Sequence, residues 1–198
     1  MRAARSAALV GALVLAAGVL AGCGGGTTES FSPGPADPVS STTPGAALGT
    51  LTRLKADGYT VRLPGTATRR EQDVPTKLGN THVVLYSAPA PNGNVFVVGL
   101  TEFPNTAVAI KNGLDGAIPG AAATIGGTVR DVRTLTFKGH QAREGRYIGS
   151  GGGIDLTVFA LVAEVDNKLF QLQYVVRGKD LTVKPPEFDQ IASTVAFG

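Results

Sequence analysis

Apolar and polar residues alternate along much of the chain beyond residue 57, in the pattern of strands that bury one face. The first run, residues 58–63, stops at Pro64-Gly65, and two further strands are predicted over residues 81–88 and 95–103. The break between those two strands contains Asn92-Gly93, a pair that tolerates positive φ. The pattern therefore predicts a first β block that includes a hairpin.

A second β block is predicted over residues 129–137, 140–148, 154–165 and 169–177. Turns are expected at Lys138-Gly139 and at residues 166–168, and the glycine-rich residues 149–153 predict a flexible connection. In the last strand, apolar residues share one face and polar residues the other: Phe170, Leu172, Tyr174 and Val176 against Gln171, Gln173 and Arg177. We expect one face of this strand to be buried.

Two segments have helical spacing instead. The first has Asn105 as a candidate N-cap and is predicted to end before Pro119-Gly120; the second covers residues 185–195 and has Pro186 in its first turn. The predicted elements follow the order strands, helix, strands, helix. This order is typical of an α+β domain, with an antiparallel β-sheet and packed helices. About 140 residues are enough for one core, so residues 57–198 are predicted to form a single domain.

The N-terminal residues 1–22 have the layout of a signal peptide. Arg2 and Arg5 precede an apolar run over residues 7–21. As a helix this run would extend about 22 Å, less than the roughly 30 Å of a bilayer's hydrocarbon core. We therefore predict a removable signal segment rather than a lasting transmembrane helix.

The end of this run, Leu20-Ala21-Gly22-Cys23, resembles a bacterial lipobox. The resemblance implies cleavage before Cys23 and a diacylglyceryl group on its sulfur, with a further acyl chain on the new amino group as an open alternative. An ordinary signal peptide that leaves an unused thiol is the competing interpretation. Cys23 is the only cysteine and lies directly at the end of the apolar run, which favours the lipid anchor. Two or more acyl chains are enough for stable anchoring, so the expected location is the outer face of the bacterial cytoplasmic membrane.

Residues 23–56 are predicted to be the lipidated cysteine and a flexible linker, because Gly, Pro, Ser and Thr dominate and large apolar side chains are few. A coil of about 32 residues would span roughly 30 Å. Loss of Arg2 and Arg5 with the signal peptide would leave 16 Lys and Arg against 15 Asp and Glu. The mature chain is therefore nearly neutral, and no nucleic-acid partner is expected.

Four segments of the predicted domain resemble PsbP/Mog1-type domains. They are Gly-Tyr-Thr-Val-Arg-Leu-Pro-Gly at 58–65, Leu-Thr-Glu-Phe-Pro at 100–104, Phe-Lys-Gly-His-Gln-Ala-Arg-Glu at 137–144 and the final helical segment at 188–197. Ala142 stands where a second glycine is expected in the third segment. The resemblance implies an α+β binding or assembly accessory of uncharacterised function, and it supplies no catalytic residues.

The residues give no independent case for catalysis, and we expect neither an enzyme nor a cofactor. His82 and His140 belong to no metal-binding motif, and Ser150 lacks the Gly-x-Ser-x-Gly frame of a nucleophile elbow. A hydrolase is therefore only the third hypothesis, and no metal site is predicted.

The candidate partner-binding residues are Arg143, Glu144 and Arg146, with Arg143 and Glu144 on opposite faces of one strand. The preferred hypothesis is a membrane-anchored extracytoplasmic lipoprotein that acts as a non-enzymatic binding or assembly module for an envelope protein partner. The alternative is a carrier of a lipid or other apolar ligand, held in a cavity between the sheet and the small-residue helix over residues 105–118.

Overall fold

A computed structural model of the chain describes residues 47–76, 79–103, 106–178 and 181–198. The predicted signal peptide, Cys23 and most of the predicted linker lie outside the described residues, as does the predicted N-cap Asn105. Those interpretations therefore stay predictions.

Ten strands and two helices run through the described residues. In chain order they are β1 (Leu51–Ala56), β2 (Tyr59–Pro64), β3 (Thr68–Thr76), β4 (Gly79–Pro89), β5 (Val95–Glu102), α1 (Thr106–Thr124), β6 (Thr128–Phe137), β7 (His140–Gly151), β8 (Ile154–Val165), β9 (Lys168–Arg177), α2 (Pro186–Ser193) and β10 (Ala196–Phe197). Seven strands form one sheet in the order β3-β4-β5-β9-β8-β7-β6, and β1-β2-β10 form a second. Every pairing is antiparallel, as the sequence predicts.

The hairpins that join β6 to β9 turn within two residues each. Lys138-Gly139, Gly152-Gly153 and Asp166-Asn167 all have positive φ at both central positions. This backbone twist matches the right-handed twist of the flanking strands, which is why such turns close two-residue hairpins. Two of these turns lie where the sequence predicts them, although Lys168 already begins β9.

The helix α1 packs on one face of the large sheet. Leu114, Ile118 and Ala122 are buried there among side chains of β7, β8 and β9. The helix runs beyond Pro119 and ends at Thr124, so the prediction that it stops before Pro119 is wrong. Burial of Ala122 and Ile125 helps to offset the hydrogen bond that proline removes. Gly127 N–H closes the helix by donating to the Ala122 carbonyl at 2.8 Å, next to Gly126 at φ 58°.

The second sheet and α2 cover the opposite face. Val61 and Leu63 of β2 share a buried cluster with Phe170 and Leu172 of β9, and Phe188 and Ile191 of α2 enter the same cluster. The predicted terminal helix is therefore present but shorter than expected: α2 ends at Ser193, and Ala196–Phe197 pairs with β2 as β10. The fold consists mostly of strands, with one helix on each face of the main sheet.

Two strands lie where the sequence analysis expects none. Residues 51–56 were assigned to the linker but form β1, and β3 has the mostly polar sequence Thr-Arg-Arg-Glu-Gln-Asp-Val-Pro-Thr. Both are edge strands that pair along their whole length with one neighbour, β2 or β4. Backbone pairing holds them together with a few partly buried apolar side chains, which are Leu51, Leu54 and Ala56 of β1 and Val74 of β3, so no regular apolar alternation marks them.

The glycines of residues 149–153 also differ from the prediction of a flexible connection. β7 continues through Gly149 and Ser150 to Gly151, and only Gly152-Gly153 forms the turn. A Cβ at Gly149 would lie 2.5 Å from Ile125 Cδ1, so glycine is needed where the end of α1 approaches β7.

Candidate functional site

The predicted partner-binding residues all lie on β7, where alternate side chains point to opposite faces. Arg143 points toward α1, where its Nε and Nη2 contact Asp115 Oδ1 at 2.9 and 2.6 Å. Glu144 and Arg146 point to the other face, toward α2 and the chain that precedes it. The structure thus places Arg143 apart from the other two, as the alternation of the strand predicts.

Glu144 lies at the centre of an ion-pair network. Its carboxylate accepts hydrogen bonds from Arg133 Nη2 at 2.7 Å and from Lys184 Nζ at 3.0 and 3.2 Å, and only 14% of its side chain is exposed. Lys184 also contacts Asp189 Oδ1 of α2 at 2.7 Å. This network joins β6, β7 and α2 through one partly buried carboxylate.

Lys184 is held firmly in its charged form. Burial alone would lower the pKa of Lys184, but hydrogen bonds and opposite charges from Asp189 and Glu144 outweigh burial and raise the pKa above its usual range. The ammonium nitrogen also lies 5.6 Å from the ring centroid of Phe188. The ammonium group therefore stays a cation throughout the physiological pH range.

Arg146 makes two contacts on the same face. Its Nε donates to Asp131 Oδ2 at 3.0 Å, and its Nη1 donates to the main-chain carbonyl of Leu181 at 3.0 Å. The Leu181 N–H in turn donates to Thr157 Oγ1 of β8 at 3.4 Å. Arg146 and Glu144 together therefore hold the two ends of residues 181–184, which we call the strap.

The strap exposes aliphatic side chains. Leu181 is 39% and Val183 52% exposed, and with Val132 they are the large hydrophobic residues exposed in the described part of the chain. Val132 lies on the other face of the sheet, because a Cβ at Gly145 would meet both Val132 Cγ2 and Ile118 Cδ1 of α1. Arg143, Glu144 and Arg146 are consequently engaged within the protein, and the surface that Glu144 and Arg146 support is the strap.

A pocket of about 250 Å³ lies between the β1–β2 hairpin and the main sheet. Its walls come from the end of β1, the hairpin turn, β2, β3, β4 and β5, and we call it the hairpin pocket. Its lining residues are Ala56, Asp57, Tyr59, Arg69, His82, Val84, Tyr86, Leu100 and Glu102. The sequence analysis missed this site, because residues from four separate stretches of the chain form it and no ligand-binding motif marks them.

Tyr59 is the most deeply buried polar residue of the hairpin pocket, with 3% of its surface exposed. Its ring packs edge-on against Phe170 at 5.1 Å between centroids, while its hydroxyl has no hydrogen-bond partner among the described residues. Burial, and secondarily the nearby Tyr86 phenol, raises the pKa of Tyr59 well above its usual range. The hydroxyl therefore stays protonated and can donate a hydrogen bond.

The two histidines make separate contacts. His82 lies within β4 rather than at the start of a strand, and its Nδ1 is 2.7 Å from Asp73 Oδ1 of β3. His140 begins β7 after the predicted turn, and its ring packs edge-on against Phe197 at 5.0 Å. Within the described ranges, no group of three or more His, Cys, Asp or Glu side chains is placed to bind a metal ion.

The alternative carrier hypothesis requires space between α1 and the sheet. The described side chains of α1 begin at Gly113, where an added Cβ would lie 3.0 Å from Leu169 Cδ1 and 3.3 Å from Phe103 Cζ. Leu114 and Ile118 continue this contact, each almost fully buried. In this described part of α1 the helix and the sheet touch directly.

No family profile and no curated protein matches the chain. Among solved structures, the chain is similar to cyanobacterial PsbP (CyanoP) from Synechocystis sp. PCC 6803, with 13% identity, a TM-score of 0.54, and 80% of this chain and 98% of that chain covered. This likeness shows the fold alone and confirms the predicted PsbP-like architecture.

Two further structures match with lower TM-scores. A protein of unknown function from Pseudomonas aeruginosa has a TM-score of 0.39 at 13% identity, with 72% of this chain and 93% of that chain covered. LpqN, involved in cell envelope biogenesis of Mycobacterium tuberculosis, has a TM-score of 0.41 at 18% identity, with 74% of this chain and 89% of that chain covered. In the part of the chain that the structure describes, no helix has the length and apolar character of a membrane span.

Replacement of Glu144 by Gln tests the strength of the ion-pair network. We expect the free energy of unfolding to fall by about 1 to 2 kcal/mol, because two charged donors lose a partly buried carboxylate. The matched control is Glu71→Gln, which removes an exposed partner of Arg69 on β3 and should cost no more than about 0.5 kcal/mol. Urea unfolding followed by circular dichroism measures both, and equal losses would contradict a special role for Glu144.

Proposed function

We propose that the chain is a lipid-anchored extracytoplasmic protein that acts as a non-enzymatic binding module for a protein partner of the bacterial envelope. The anchor is Cys23 at the end of the lipobox-like segment, and residues 24–47 serve as its tether. The observation that carries the binding role is the strap, where Leu181 and Val183 are exposed on a segment whose two ends are held in place.

The surroundings of the strap resemble the anatomy of a protein interface. Exposed aliphatic side chains lie beside paired charges, with Asp131 and Arg146 next to Leu181, and Glu144 and Asp189 next to Lys184. Interfaces commonly combine an apolar centre with a polar rim, and the rim limits which partners bind. Since the charges of the rim pair with one another, the partner is expected to contact the aliphatic side chains first.

The fixed backbone of the strap favours binding. Arg146 donates to the Leu181 carbonyl, and Lys184 contacts both Glu144 and Asp189. A segment that is already ordered loses less conformational entropy when a partner covers it. In this proposal Glu144 and Arg146 act as positioning residues for the strap and do not themselves make the main contacts.

The tether fits a partner near the membrane surface. Residues 24–47 precede Leu48, which is buried in the core, and a flexible coil of about 24 residues would span roughly 25 to 30 Å. Tethering raises the local concentration of the domain for any partner that lies within this reach. A modest interface is then sufficient for binding.

Replacement of Cys23 by Ala tests the anchor. We expect the full chain to remain unprocessed or to leave the membrane fraction, because no sulfur is left to carry the diacylglyceryl group. Cell fractionation and the mass of the mature N-terminal peptide provide the measurements. A processed Cys23→Ala chain that stays with the membrane would refute the lipid anchor.

The double variant Leu181→Ser/Val183→Ser tests the strap. When intact cells are treated with a chemical cross-linker, the natural chain should form a cross-linked species with its partner. In the double variant we expect the yield of this species to fall at least about tenfold, because the apolar centre of the interface is removed. The free energy of unfolding should change by less than about 0.5 kcal/mol for each substitution, since both side chains are exposed.

The matched control is Val132→Ser, which removes a 44% exposed aliphatic side chain from the other face of the sheet. This variant should keep the cross-linked species at the natural level. If the double variant keeps the species, or if Val132→Ser loses it to the same extent, the strap is not the binding surface.

A further inference from the structure

The hairpin pocket is separate from the strap. Both lie on the face of the main sheet that β2 and α2 cover, but the pocket lies over β3, β4 and β5 while the strap crosses β7 and β8. No residue lines the pocket and also holds the strap. A ligand in the hairpin pocket would therefore be an additional property of the protein.

The walls of the pocket combine aliphatic and phenolic surfaces. Val84 and Leu100 come from paired positions of β4 and β5, and Ala56 closes the pocket from the end of β1. Tyr59 and Tyr86 add two aromatic rings. At about 250 Å³, the space is smaller than the roughly 300 to 1,000 Å³ of pockets for drug-sized molecules, so it suits a compact ligand of about ten non-hydrogen atoms or fewer.

Most of the ionisable side chains around the pocket have a partner within the protein. Arg69 pairs with Glu71 at 2.6 Å, His82 lies 2.7 Å from Asp73, and Glu102 pairs with Lys168. Asp57 lies in the exposed turn between β1 and β2. Because Arg69, His82 and Glu102 already have partners, they offer little attraction to a charged ligand, and a charged group that enters the pocket would lose part of its hydration.

The Tyr59 hydroxyl is the polar group that still needs a partner. It is buried, it remains protonated, and no described residue accepts its hydrogen bond. Buried polar groups in folded proteins nearly always have a partner, so a hydroxyl without one, on a residue that lines a pocket, favours a ligand with an acceptor. The other two deeply buried tyrosines differ: Tyr174 accepts from Asn94 at 3.1 Å, and Tyr147 lies 3.3 Å from Gln173 Oε1.

We propose that the hairpin pocket binds a small uncharged molecule with a compact apolar body and one hydrogen-bond acceptor, and that Tyr59 donates to this acceptor. Val84 and Leu100 contact the apolar body, and Tyr86 packs beside it. The paired charges around the pocket select against anions and cations of the same shape.

The four tyrosines of the chain allow a direct test. Tyrosine rings labelled with ¹³C in the full chain give one set of signals each; Tyr59 and Tyr86 line the pocket, whereas Tyr147 and Tyr174 are internal controls. Cyclohexanone is the uncharged probe. Cyclohexylammonium and cyclohexanecarboxylate have the same six-membered carbon ring with a positive or a negative charge, and they serve as the charged comparisons. We expect cyclohexanone to shift the Tyr59 and Tyr86 signals saturably, with a Kd of the order of 1 mM for so small a ligand. The charged analogues should bind at least about tenfold more weakly.

The variant Tyr59→Phe tests the hydrogen bond while keeping the ring. Followed by the Tyr86 signal, its affinity for cyclohexanone should fall roughly three- to tenfold, because the donor is lost. Its urea midpoint should stay the same or rise, since a hydroxyl without a partner is removed. The control Tyr174→Phe loses an existing hydrogen bond, so its urea midpoint should fall while its cyclohexanone affinity is unchanged.

Three results would overturn the proposal. The first is no saturable shift at Tyr59 or Tyr86, or equal shifts at all four tyrosines. The second is tighter binding of either charged analogue than of cyclohexanone. The third is an unchanged affinity in Tyr59→Phe. None of these results bears on the strap. Its binding role is tested by the double variant Leu181→Ser/Val183→Ser and by the control Val132→Ser.

Discussion

Burial of β8 and β9 on both faces determines the arrangement of the remaining elements. From Leu156 to Ala163 every residue of β8 is buried, and β9 is buried along most of its length. A strand that is buried on two faces needs a layer on each side. The helix α1 supplies one layer, and β2 with α2 supplies the other, so the edge strands β3 and β6 are left to meet solvent.

The exposed edges account for the distribution of charge. β3 and β6 have mainly polar side chains. Arg69 and Glu71 pair within β3, whereas the ion pairs of β6 extend to β7. At β6 these pairs include Glu144 and Arg146 of β7, which hold the strap against the sheet. Charged edge strands also discourage pairing with other chains. The same charges therefore protect an edge and position the surface that we propose for binding.

The sequence predicted the strands that bury many apolar residues and missed the edge strands β1 and β3, which bury few. The alternation in residues 169–177 led directly to β9, whereas β1 and β3 have too little apolar patterning to detect. Pro119 and the glycines near residue 150 were interpreted as breaks, although packing of Ala122, Ile125 and Gly149 maintains regular structure there. Local propensity yields to tertiary contacts at such positions.

The candidate sites were predictable to different degrees. Spacing on one strand correctly placed Arg143 and Glu144 on opposite faces, but it gave no indication that Arg146 reaches the Leu181 carbonyl, 35 residues away. The hairpin pocket depends on the approach of β1 and β2 to a distant sheet, and no local pattern encodes that approach.

The central claim is that the strap contacts a protein partner at the membrane. A photo-activatable residue at position 183 of the full chain, irradiated in intact cells, tests this claim most directly. The account predicts one dominant cross-linked protein from position 183 and none from position 92, which is exposed in the turn between β4 and β5. The same cross-links from both positions, or none from position 183, would contradict it.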